Sequence, residues 1–152
     1  VKFAILLHIL GIVVWVGGMF FAYMALRPAA AQLLEPPQRL TLWVGTFGRF
    51  FPWVWASVLL ILGSGLDLIF TKFGGFATTP VFVHSMFGIG LLMMLIFAHV
   101  FFAPYGRLKR FVAVQEWKSA GAALAQIRVL IGINLSLGLI NIAIAVIGER
   151  LG

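Results

Sequence analysis

Six polar residues stand where a hydrocarbon environment would exclude them, and their types narrow the chemistry. His8, Asp67, His84, His99, Asn134 and Asn141 all lie within or at the edge of long apolar stretches. Placing an ionisable side chain inside a bilayer costs a few kcal/mol, so each of these residues requires a partner or a task. Imidazole binds iron, copper and zinc in its neutral form, which is also the cheaper form inside lipid. His8 and His84 are therefore read as two axial ligands of haem b, held between the first and third apolar stretches, with electron transfer as the work. Adding Asp67 gives a two-histidine, one-carboxylate set suited to a copper ion or zinc. His99 and two cations that fall at similar depth, Arg49 and Arg128, form a second cluster able to hold a quinol headgroup or a lipid phosphate. The chain has no cysteine, which removes disulfides, thiolate metal sites and a thiol nucleophile. Its five methionines are spread through the membrane depth and read as packing residues.

The elements that must position these residues follow from composition. Of 152 residues, 62% are hydrophobic and only 10% are charged, against about a quarter charged in soluble domains. Too few polar side chains exist to coat a globule, so a soluble protein and a disordered one are both excluded. Four apolar runs, at about 3–26, 50–70, 80–103 and 127–147, are each long enough to cross roughly 30 Å of hydrocarbon. Backbone groups in lipid must pair within their own segment, so each run is a helix. The fold class is all-α: a single four-helix transmembrane bundle over 1–152. The first run is too long for a signal-peptide core and is read as an uncleaved helix closed by Arg27-Pro28.

Eight of the eleven Lys and Arg residues flank the first and third loops. The positive-inside rule puts that side in the cytoplasm and both termini outside, on the periplasmic side of a bacterial inner membrane. The net charge of +7 then reports topology and contact with anionic lipids rather than nucleic acid. Gln38–Arg49 and Gln115–Arg128 mix apolar and polar residues and read as interfacial helical extensions on the cytoplasmic side, with a kink near Pro52. Trp43, Trp53, Trp55, Trp117 and Tyr105 fall near interfaces, as belt residues do.

Depth and angular phase group the polar residues. His8 and His84 each lie roughly 6–8 Å below the outer edge of the hydrocarbon, level with Asp67 and Asn141, which are read as supporting the haem and its ligands from behind. His8, Gly11, Trp15 and Met19 share one helix face; His84, Gly88, Leu91 and Leu95 share another. Gly11 and Gly88, one turn inward of each histidine, leave space of the kind a porphyrin edge needs. Asn134, Gly138, Asn141 and Ala145 form a stripe on the fourth helix that favours close approach.

The run from His8-Ile-Leu-Gly through Trp15-Val-Gly-Gly18 to Arg27-Pro28 resembles the first helix of the CopD (copper resistance protein D) family. So do Gln126-Ile-Arg128 through Asn134-Leu-Ser-Leu-Gly138 and the helix with His84 and His99. The resemblance implies an inner-membrane protein of copper handling, with the same histidines binding or passing the ion. The His-to-Trp-to-Gly pattern of the first helix is also similar to HemJ-type protoporphyrinogen oxidases, which implies haem binding and a quinol- or porphyrinogen-linked oxidoreductase. A Met-rich segment for feeding copper is not present. No phosphate-binding loop, dinucleotide fingerprint, HExxH or GxSxG motif occurs. A non-catalytic accessory role in a larger membrane complex, or a homo-oligomer, is the remaining expectation for so small a bundle.

Overall fold

The computed structural model describes residues 1–151. Its helices are α1 (Lys2–Phe21), α2 (Arg27–Leu33), α3 (Pro36–Thr71), α4 (Val81–Phe102), α5 (Pro104–Ala113) and α6 (Trp117–Leu151). A π-helical turn, Ala22–Leu26, joins α1 to α2, and a 3₁₀ turn, Phe76–Thr78, precedes α4. Four rods result, of 32 to 36 residues each, and all four are long and apolar enough to span a membrane. At helical rise they reach about 50 Å, well beyond a hydrocarbon core of about 30 Å. The chain is an all-α, multi-pass membrane bundle. An even number of crossings leaves both termini at one end, here called the terminal end; the opposite, basic end carries the α2–α3 turn and the α5–α6 turn.

Pro28 does not close the first helix, contrary to its sequence reading. The chain stays helical to Leu33. Proline lacks a donor N–H and crowds the carbonyl one turn back, and the π turn directly before it widens the backbone where that bond would have been. Residues 38–49 likewise belong to the uninterrupted α3, which contains Pro52. Leu40, Trp43 and Phe47 on this segment are buried in the core, so it extends the bundle.

At the basic end α6 folds back along α5. Gln115, at φ 59°, turns the chain: its N–H reaches the Val112 carbonyl at 3.1 Å, and Glu116 N–H reaches the Phe111 carbonyl at 2.9 Å. Those two bonds make a Schellman turn, with glutamine in the left-handed position that glycine usually fills. Together α5 and the returning α6 cover an aromatic core. Phe51 lies 4.9 Å from Phe47, 4.9 Å from Tyr105 and 5.3 Å from Phe97, ring centre to ring centre, mostly edge-on as ring quadrupoles prefer. Trp43 and Tyr105 are thus core residues rather than belt residues, whereas Trp53 remains 63% exposed.

Two seams hold the rods together. In the first, α1 lies against α3. Gly11 is buried there, and a Cβ added to it would meet Ile61 Cγ1 at 2.8 Å and the Ser57 carbonyl at 3.2 Å. In the second, α6 lies against α4, tied by two side-chain amides. Asn134 Nδ2 donates to the Met93 carbonyl at 3.0 Å, and Asn141 Nδ2 to the Met86 carbonyl at 3.1 Å. The partners are two turns apart on each helix, as antiparallel packing requires. Gly138 sits between the amides, where a Cβ would come within 3.0 Å of Val16 and 3.2 Å of Met93. The small-and-amide stripe of α6 is this contact.

Candidate functional site

His8 sits in the α1–α3 seam, half-buried, with Nδ1 3.0 Å from Ser64 Oγ. The Ser64 hydroxyl itself donates to the Leu60 carbonyl. Its single proton is therefore spent, so Nδ1–H of His8 must be the donor and Ser64 Oγ the acceptor. That tautomer carries its lone pair on Nε2, the form in which a histidine accepts a metal ion. The spacing on α3 makes this possible: Ser57, Ile61, Ser64 and Gly65 fall on one face, and the His8 ring lies beside Gly65, where an added Cβ would be 3.4 Å from Cε1.

His84 is placed differently. Its Nε2 is 3.0 Å from the Phe76 carbonyl; a carbonyl can only accept, so Nε2–H donates and Nδ1 is the free nitrogen. The bond pins the α3–α4 loop to α4, and Phe76 also stands edge-on to Phe70 and Phe87. The stripe of α4 that carries His84 is an exposed one: His84, Gly88, Leu91 and Leu95 are all exposed, Leu95 at 69%. Phe97, which contacts Trp15 of α1 and Phe51 of α3, marks the side of α4 facing the bundle axis. At about 100° per residue His84 points about 140° away from it. The face assigned to His84, Gly88, Leu91 and Leu95 is real, but it looks outward. The face assigned to His8, Gly11, Trp15 and Met19 looks inward, toward α3.

Asp67 is exposed near the end of α3, and among the described residues no three His, Asp or Glu side chains come together as a metal-binding group. The His8–Asp67–His84 set is not assembled in this conformation. Asn141 binds the α4 backbone, its Oδ1 buried without a partner, as is that of Asn134. Gly11 is occupied by Ile61, while nothing lies within 4 Å of where a Gly88 Cβ would be. The room that a porphyrin edge would use on α1 is therefore filled by helix packing.

The basic end holds a cavity of about 590 Å³ among the π turn and α2, the start of α3 and the start of α6. Arg27, Arg39, Lys118 and Arg128 line it together with Trp43 and Trp117. Of the cluster expected from depth, only Arg128 reaches this cavity. His99 is exposed on α4, and Arg49 is exposed with its guanidinium turned back to the Gly45 carbonyl. Depth and angular phase could not have found Arg27, Arg39 and Lys118 as a group, because they meet only where three separate segments converge. The one available signal was the excess of basic residues on that side.

Fold and site together define a small polytopic helical membrane protein with an imidazole in its seam at one end and a cationic cavity at the other. The family model of copper resistance protein D, CopD, matches residues 44–147, and the chain belongs to that family. The match takes in α3 from Val44, all of α4 and α5, and α6 to Ile147; α1 and its His8 precede it. No curated protein and no solved structure matches the chain.

Proposed function

We propose that this CopD-family chain is a copper-binding membrane protein in which His8 is the first ligand met at the terminal end. The observation that carries the reading is the His8–Ser64 bond. It holds the imidazole in one tautomer, in a protein seam, with its lone pair on Nε2. Imidazole is a good donor to copper, and the ion here is cargo rather than a resident cofactor. His84, on the exposed face of α4 and bonded to the Phe76 carbonyl, would join His8 as a second donor only if α4 turned toward α1. In this reading the basic end faces the cytoplasm, and copper meets the protein from the outer side of a bacterial inner membrane.

Haem b between His8 and His84 draws less support from the same geometry. Gly11 packs against α3, and His84 lies on the exposed face of α4. Electron transfer through such a haem, or quinol oxidation near His99, would need the two helix pairs to reorganise first.

The test is copper titration of the purified chain against a chromophoric chelator, with an optical spectrum of the same sample. One copper per chain is expected and no Soret band. Ser64→Ala should weaken copper binding by roughly 10- to 100-fold, as loss of a ligand-orienting partner does, and His8→Ala should weaken it further. Wild-type affinity in His8→Ala would overturn the assignment, and a red protein would restore haem.

A further inference from the structure

The cavity at the basic end has a composition that copper binding does not use. Four cations line it, and no Asp or Glu is among its lining residues. Lys118 and Arg128 are exposed. Arg27 is held in place by its Nε bond to the Tyr23 carbonyl at 3.1 Å and by stacking 4.6 Å above the Tyr23 ring. Both α3 and α6 begin here, at Pro36 and Trp117, each directly after a glutamate, Glu35 and Glu116, that is not among the lining residues. The rest of the wall is apolar, including Leu40, Phe47 and Ile127. The volume is within the range of small-molecule sites, roughly 300–1,000 Å³.

Like charges gathered around one cavity repel, and an anion relieves that repulsion. A soluble anion would leave the apolar wall wet; an anionic amphiphile satisfies both parts of the lining. We propose that this cavity binds one anionic phospholipid, its phosphate held by Arg27, Arg39, Lys118 and Arg128 and its acyl chain lying along the apolar wall. The lipid then ties α2, α3 and α6 together at the end where the chain is most basic.

General attraction of basic residues to an anionic surface is worth about 1 kcal/mol per residue, so the experiment must separate a site from a field. The full chain in detergent is titrated with phosphatidylglycerol or phosphatidylcholine of identical acyl chains and read by native mass spectrometry. Phosphatidylglycerol is expected to bind about tenfold more tightly as the first lipid. Lys118→Gln with Arg128→Gln should reduce that preference to about threefold or less. Lys109→Gln with Arg110→Gln removes the same charge from α5, outside the cavity, and should leave it unchanged. Millimolar glycerol phosphate should not displace the lipid. Equal binding of the two lipids overturns the proposal, and so does equal loss in the two double variants, which would mean diffuse attraction. Displacement by glycerol phosphate would make the site one for a soluble phosphate.

Discussion

The two ends of the bundle are built on different physical principles. At the basic end, Leu108, Ile127 and Pro104 are among the most deeply buried side chains of the protein, because α5 packs in as a fifth helix and covers the aromatic core. At the terminal end only the α1–α3 and α4–α6 seams hold, and contact across the pairs is sparse. Those seams rely on glycines and on single polar bonds, His8 to Ser64 and Asn141 to Met86, while His84 ties the α3–α4 loop to α4 through Phe76. A dense core resists rearrangement, whereas a seam of small residues and exchangeable hydrogen bonds can open. The more sparsely tied end carries His8 and His84, and the densely packed end carries the cavity.

Substitutions in the two ends sharpen this contrast. The largest loss is expected for Leu108→Ala, which empties a fully buried position and should cost about 2–5 kcal/mol in reversible unfolding from mixed micelles. Leu59→Ala, at a 69% exposed position on α3, serves as its neutral reference. Next comes Gly11→Val. With Ile61 and the Ser57 carbonyl already in contact range, overpacking should cost about 1–3 kcal/mol, and copper affinity should fall with it as His8 is levered off Ser64. Unchanged affinity in a destabilised Gly11→Val protein would break the link between seam and site. The smallest effects are expected at the amides, where hydrogen bonds in membrane bundles average about 0.6 kcal/mol. Asn134→Ala, deep in the bundle, should cost more than Asn141→Ala near the terminal end; the reverse order would show that the terminal end is the better packed of the two.

The outcome for particular residues shows which inferences spacing can support. Spacing correctly put His8, Gly11, Trp15 and Met19 on one face, since a helix fixes angular phase. It equally correctly put His84, Gly88, Leu91 and Leu95 on one face, yet that face turns away from the bundle axis. Trp43 and Tyr105 read as interface residues because their helices leave the membrane there; the return of α6 along α5, through a turn at Gln115, buries them instead. Pro28 read as a terminus because a regular helix would break at it, and the π turn absorbs the break.

Four membrane helices, their approximate limits and the gathering of positive charge at one end were determined by the sequence alone. Lipid offers the backbone no partner but its own segment, so an apolar run of sufficient length has one structural solution. Neighbour relations were decided only in the tertiary structure. His8 finds Ser64 across 56 residues of chain, and the four cations of the cavity come from segments that spacing cannot relate. Periodicity tells which side chains share a face of one helix, but the helix that meets that face is chosen by complementarity of shape between surfaces, which no single segment contains.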